Sequence, residues 1–173
     1  MNKMKHVFSV VLSVAMMVAM LFVVPVQAAG NYVAQLYGKI TDAGQVVNKV
    51  VIDYGDDVKV SGADKDTYTV HATNYVQIGV DKGKAYSDAD RTIEKVEVAG
   101  GKVTLYMNES EGATLTWLSE GRNYLGKLDY TITQNKALKA AAVDGKELDD
   151  ITGEITCDNT VSYTHLTLPT NSL

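Results

Sequence analysis

Lys95-Val96-Glu97-Val98-Ala99-Gly100-Gly101-Lys102-Val103-Thr104-Leu105-Tyr106-Met107 decides the fold class. Val96 and Val98 alternate with Lys95 and Glu97, while Val103, Leu105 and Met107 alternate with Lys102, Thr104 and Tyr106. Side chains two apart leave the same face of a pleated strand, so each half carries one apolar stripe and one polar one. Gly100-Gly101 sits between the halves, and glycine takes the positive φ that a two-residue turn needs. The stretch reads as a β-hairpin.

The same period recurs on both sides of it. Val50, Ile52 and Tyr54 oppose Lys49, Val51 and Asp53; Tyr68, Val70 and Ala72 oppose Thr67, Thr69 and His71. Ala113, Leu115 and Trp117 alternate with Thr114 and Thr116, and Leu128, Tyr130 and Ile132 with Lys127, Asp129, Thr131 and Thr133. Breakers lie between them at Asp42-Ala43-Gly44, Tyr54-Gly55-Asp56-Asp57, Ser61-Gly62 and Asp81-Lys82-Gly83. Many short strands with frequent turns predict an all-β chain, an antiparallel sandwich or barrel. Lys136–Ala142 is the single helix-like stretch, carried only by its alanines and lysines.

Ahead of the strands stands a different kind of segment. Lys3 and Lys5 precede an almost wholly apolar run from Val7 to Val24, followed by Pro25 and Val26-Gln27-Ala28. A basic start, an apolar run and a small-residue cleavage site form the pattern of a secretory signal peptide, here residues 1–28. A retained anchor is the alternative, since a run of about 18 apolar residues can just span a bilayer. The proline and the Ala28-Ala29 pair favour cleavage and an extracellular domain.

The remaining chain can build one core of ordinary size, being 173 residues long in all with 46% hydrophobic residues. The net charge of −5 argues against nucleic acid and anionic membranes, both of which select basic patches. Cys157 is the one cysteine, which excludes an internal disulfide framework and a cysteine-based zinc site.

Catalytic chemistry finds little to work with. No Gly-x-Ser-x-Gly elbow occurs, and a serine triad also needs a histidine base. His6 lies in the signal and His165 in the tail, leaving His71, whose alternation with Val70 and Ala72 points it to solvent. No catalytic, cofactor-binding or metal-binding residue is therefore assigned. Asp56-Asp57, Asp64 with Asp66, and Asp88 with Asp90 could be calcium loops, but none has the spaced ligands ending in a bidentate glutamate. They read as solvated turns. Asn108-Glu109-Ser110 forms a glycosylation sequon, a tripeptide common by chance. Tyr68, Tyr130 and Trp117 could stack on sugars, yet each falls on an apolar stripe and reads as core.

Val47-Asn48-Lys49-Val50-Val51-Ile52-Asp53-Tyr54-Gly55 and Asp66-Thr67-Tyr68-Thr69-Val70 resemble the immunoglobulin-like N-terminal domain of secreted bacterial esterases. Asp90-Arg91-Thr92-Ile93-Glu94-Lys95-Val96 and Asp129-Tyr130-Thr131-Ile132-Thr133-Gln134 are similar to that family in the same order. The resemblance implies an immunoglobulin-like β-sandwich that carries no catalytic group and packs on an α/β-hydrolase domain of the same full-length chain. No catalytic residue of the family maps onto any position here. Val161–Thr170 resembles something else, the translated end of a transposase adapter used in sequencing libraries. Residues 161–173 are accordingly read as a non-native tail, and the natural chain is expected to continue past Thr160.

The expected organisation is a signal-peptide helix over 1–28, the sandwich over 30–135, and a linker or the start of a following domain over 136–160. As a fragment the chain is expected to be no enzyme, with a serine esterase as its parent and no cofactor. The alternative is a free-standing sandwich that binds carbohydrate or cell wall. A second copy, paired through the sandwich, is a further partner left open.

Overall fold

The computed structural model describes residues 29–113, 115–118 and 122–163. The expected signal-peptide helix and the tail after Tyr163 lie outside the described residues. In chain order the strands are β1 (Ala29–Thr41), β2 (Gly44–Asp53), β3 (Val58–Ser61), β4 (Tyr68–Tyr75), β5 (Ala85–Asp90) and β6 (Ile93–Ala99). They continue with β7 (Lys102–Met107), β8 (Leu115–Leu118), β9 (Arg122–Leu125), β10 (Lys127–Gln134), β11 (Leu138–Ala142) and β12 (Glu147–Tyr163). A 3₁₀ turn at Lys65–Thr67 precedes β4.

The main sheet runs β5-β4-β10-β12-β1-β2-β7-β6, and β11 and β3 branch from β12. β8 and β9 form a separate hairpin. Curling brings the inner faces together, so that Leu36, Val47, Val50, Ile52, Val103 and Leu105 pack in one core with Tyr68, Val70, Tyr130, Ile132 and Leu138. This is an immunoglobulin-like β-sandwich. Among the described residues the pairing is antiparallel except between β1 and β12, which run parallel from Ala29 opposite Thr152 to Gly38 opposite Tyr163.

The alternation read from sequence matches the buried faces. Val50, Ile52 and Tyr54, Tyr68, Val70 and Ala72, Val103, Leu105 and Met107, and Tyr130 and Ile132 are all buried. The turn at Gly100-Gly101 forms with Gly100 at φ 60°, and Ala99 faces Lys102 across it. Val98 departs from the pattern at 38% exposed, because β6 ends the sheet and only β7 flanks it. Of the Ala113–Trp117 stripe, the structure describes Leu115–Leu118 as β8, with the side chains outside the description.

One expectation about the C-terminal part is corrected. Lys136–Ala142 holds no helix: Leu138–Ala142 is β11, paired with β3 from Lys139 opposite Ser61 to Ala142 opposite Val58. Leu138 and Ala140 are buried while Lys139 is exposed, so period-two burial against β3 and β12 overrides the helical preference of alanine and lysine. Strands also run through residues 138–142 and 147–160. β12 pairs with β11, with β10 at Ile132 opposite Ile155, and with β1. Val161-Ser162-Tyr163, the first residues of the adapter-like tail, extend β12 beside Leu36-Tyr37-Gly38.

Candidate functional site

His71 lies on β4 beside the edge strand β5, with Asp90 directly opposite and Asp88 two residues along. Nδ1 is 2.7 Å from Asp90 Oδ1 and Nε2 is 2.7 Å from Asp88 Oδ1. Thr73 Oγ1 donates to the same Asp88 oxygen at 2.7 Å. Alternation puts all of these groups on the outer face, where the carboxylates are well exposed. Asp90 first and Asp88 second raise the imidazole pKa above its ordinary value. With both ring nitrogens donating, the ring is a cation and has no lone pair to take a hydroxyl proton. The Thr73 proton is directed at Asp88 rather than at the ring. The arrangement clamps β5 onto β4 and is not a base–nucleophile pair.

The other acidic pairs also serve turns. Asp64 Oδ1 accepts from Asp66 N at 3.0 Å and from Thr67 Oγ1 at 2.8 Å, and Lys136 Nζ closes on both its oxygens at 3.0 Å. These bonds cap the 3₁₀ turn and hold the Asp64 carboxyl below the usual carboxylate range, with Lys136 the largest influence. Asp56 is almost fully exposed. Among the described residues no group of three or more His, Cys, Asp or Glu could hold a metal ion. In the sequon, Asn108 Oδ1 accepts from Ser110 N and Ser110 Oγ, a local turn. Tyr68 and Tyr130 are core, which removes both from any sugar-stacking platform. Trp117's side chain lies outside the described residues.

The sequence reading passed over Arg91, a buried cation just after β5. Its Nη1 donates to Tyr130 Oη at 2.6 Å, and Nη2 donates to the carbonyls of Asn108 at 2.8 Å and Val47 at 3.2 Å. Glu111 lies 3.9 Å from Nε. One guanidinium thus ties β10 to β2 and to the end of β7. Asp90-Arg91-Thr92 carries no mark of burial in itself, since an arginine among polar neighbours ordinarily stays exposed.

A second feature is an apolar end. Ile40 is 55% exposed at the β1–β2 turn, and Ile78 and Val80 are 42% and 94% exposed in the loop between β4 and β5. Between Gln45, opposite Ile40, and Gln77 lies a mostly polar cleft of about 460 Å³, lined also by Lys127, Asp129, Asn159 and Val161. Because β12 runs parallel to β1, Tyr163 opposite Gly38 reaches the same end. Val76-Gln77-Ile78-Gly79-Val80 alternates like a buried strand, which hid these residues in the sequence. β4 ends at Tyr75, Gly79 turns the following loop at φ 77°, and Gly83 N closes back on Val76 O at 2.8 Å.

Residues 37–148 match the model of the esterase immunoglobulin-like N-terminal domain. The chain belongs to this family. No curated protein matches it at a significant level. Among solved structures, this esterase-type immunoglobulin-like domain is similar to one titled a thermostable esterase, with a TM-score of 0.52 and 22% identity. The match covers 76% of this chain and 35% of that one, so the domain spans about a third of the esterase it resembles. At that identity the likeness speaks for the fold, and the family model carries the assignment.

Proposed function

We propose that this domain is the non-catalytic accessory part of a secreted carboxylic-ester hydrolase, and that it docks the α/β-hydrolase domain of the full-length protein on its apolar end. The observation that carries the reading is the exposure of Ile40, Ile78 and Val80 at one end of the sheet, where β1 and β4 both finish. Leaving aliphatic side chains in water forgoes roughly 25 cal/mol per Å² of apolar surface, which a covering domain would recover. Contacts between domains of one chain commonly bury such patches. Family membership supports the esterase context, and Lys3, Lys5 and the apolar run from Val7 to Val24 support export. The role of the domain is to position or shield the hydrolase.

Calorimetric titration of this chain with the α/β-hydrolase domain of its parent esterase tests the reading. Binding is expected, weakened at least about tenfold by Val80→Asp, because a carboxylate would be desolvated against the partner. Binding indifferent to Val80→Asp and Ile78→Asp would remove this surface from the interface. Turnover of a short-chain nitrophenyl ester by the pure chain, lost in His71→Ala, would overturn the accessory role itself.

A further inference from the structure

β10 and β12 separate within the main sheet. They pair at Ile132 opposite Ile155. Continuing that antiparallel register would set Tyr130 opposite Cys157 and Leu128 opposite Asn159, yet neither pair forms. The cause lies in β12, where Asp158-Asn159-Thr160 stand against Gln35 alone, between Cys157 opposite Ala34 and Val161 opposite Leu36. Asn159 takes φ 58°, the one positive φ of a non-glycine residue among those described. A bulge of this kind bends its strand and aims side chains in new directions.

The opening between the two strands is the cleft of about 460 Å³. Asn159 Oδ1 accepts from Tyr130 N at 2.5 Å, so a side chain takes the place of a ladder bond. Tyr130 thus turns its backbone toward β12. Leu128, two residues along the same strand, turns its amide and carbonyl the same way, into the cleft. On the β12 wall Asn159 Nδ2 remains as a donor, and Asp158, whose Oδ1 accepts from Thr160 N at 2.8 Å, keeps Oδ2 as an acceptor. On the β10 wall Asp129 holds Lys127 at 2.8 Å. Gln45 and Gln77 flank the opening. The start of β10 is fixed in place, since a Cβ on Gly126 would stand 1.7 Å from Asn74 Oδ1.

Two kinds of ligand use such groups, and the geometry separates them. An extended peptide inserted as a strand needs about 9.6 Å between its neighbours, two ladder spacings, and a row of outward amides. Asn159 closes the split at Tyr130, so a peptide would gain the ladder bonds of Leu128 alone. A sugar asks for something else. Each hydroxyl both donates and accepts; the amides of Gln45, Gln77 and Asn159 offer both functions, and the carboxylates of Asp129 and Asp158 accept. Two carboxylates against the one ammonium of Lys127 favour a neutral sugar over a uronate.

We infer that this cleft binds a sugar unit of a neutral glycan, held by hydrogen bonds rather than by ring stacking. Its volume lies within the range of small-molecule sites, about 300–1,000 Å³. Its polar groups all precede the adapter-like tail, which adds only Val161. Ile40, Ile78 and Val80 lie outside its lining, so the site stands whether or not a hydrolase domain covers them.

Titration of the isotope-labelled chain with neutral trisaccharides of glucose, xylose and mannose, followed by amide NMR, gives the test. At least one is expected to shift the amides of Gln77, Leu128 and Asp129 with a Kd of about 0.1–10 mM, and the galacturonate trimer is expected to shift none. Gln77→Ala and Asp158→Ala are each expected to weaken binding about fivefold, the loss of one hydrogen bond. Both residues are exposed, so the fold is kept, and the spectrum of each variant checks it. Four results would overturn the inference: no shift from any neutral trisaccharide at about 20 mM, binding that both variants leave unchanged, equal binding of the galacturonate trimer, or shifts caused by the peptide Lys-Val-Lys and by no sugar.

Discussion

Arg91 Nη1 donates to Tyr130 Oη at 2.6 Å inside the core, with both residues almost fully buried. The guanidinium also satisfies two backbone carbonyls, so its cost of burial is offset by bonds to three elements at once. Arg91→Met removes the charge but leaves the Tyr130 hydroxyl and both carbonyls without this donor. A loss of about 2–4 kcal/mol in urea unfolding is expected, against about 1–2 kcal/mol for Tyr130→Phe, which orphans a single donor. Equal losses would show that the carbonyl contacts contribute nothing.

The tyrosine network under β4 offers a finer comparison. Tyr54 Oη lies 2.9 Å from Tyr68 Oη and donates to Gln134 Oε1 at 3.0 Å, so Tyr68 supplies the proton between the phenols. Gln134 Nε2 in turn donates to the Ile151 carbonyl at 2.9 Å. Burial is the main cause that pushes the Tyr54 pKa up to about 12, against the bond from Tyr68, which lowers it. Tyr54→Phe strands both neighbours, whereas Tyr68→Phe removes one donor. The first is expected to cost about 2–3 kcal/mol and the second about 1 kcal/mol, read by thermal or urea unfolding.

The His71 clamp gives stability a bell-shaped dependence on pH. His71 has a raised pKa in the folded chain, so its contribution is full below the unfolded value near 6.5 and fades as pH rises through the folded value. Asp88 has a lowered pKa, owing first to the Thr73 hydroxyl and then to His71, so its contribution is full above the unfolded carboxylate value and fades as pH falls. The clamp is expected to be strongest between about pH 4 and 6.5. Amide exchange of β5 in wild type and His71→Gln reads it out, the difference between them shrinking at pH 9. A difference that persists undiminished at high pH would exclude the charge-based account.

Gly100 and Gly101 share one turn but differ in what surrounds them. A Cβ on Gly100 meets nothing within 4 Å and pays only for φ 60°. On Gly101 it would stand 1.9 Å from the Gly55 carbonyl oxygen, which is backbone and cannot swing aside. Gly100→Ala is expected to cost about 1 kcal/mol and Gly101→Ala clearly more, with the Tyr54 N to Gly101 O bond of 2.8 Å lost as well. Unfolding midpoints of the two variants rank them directly.

These cases show where the sequence could be read and where it could not. Val103, Leu105 and Met107 announce a buried face because one side of a central strand meets the core at every second residue. Val98 keeps the same pattern and is exposed, since alternation carries no mark of a strand's place at an edge. Lys136–Ala142 misleads for a related reason: local preference is weak beside the ladders that β12 offers as the next strand and β3 offers from far away in the chain. Arg91 and the Ile78–Val80 tip depend wholly on tertiary placement. A charged residue between two polar ones says nothing of the cavity it will enter, and a broken alternation becomes visible only once Gly79 turns the chain.

The parallel alignment of β1 and β12 has a mechanical consequence. Tension applied at Ala29 and at Tyr163 would drag these neighbours past each other along their length, from Thr152 opposite Ala29 to Cys157 opposite Ala34 and beyond. Every cross-strand bond in that row then bears load at the same moment, unlike a hairpin that opens link by link from its mouth. A single-molecule pulling trace should therefore show one abrupt rupture rather than a gradual yield, making the domain a stiff spacer under traction.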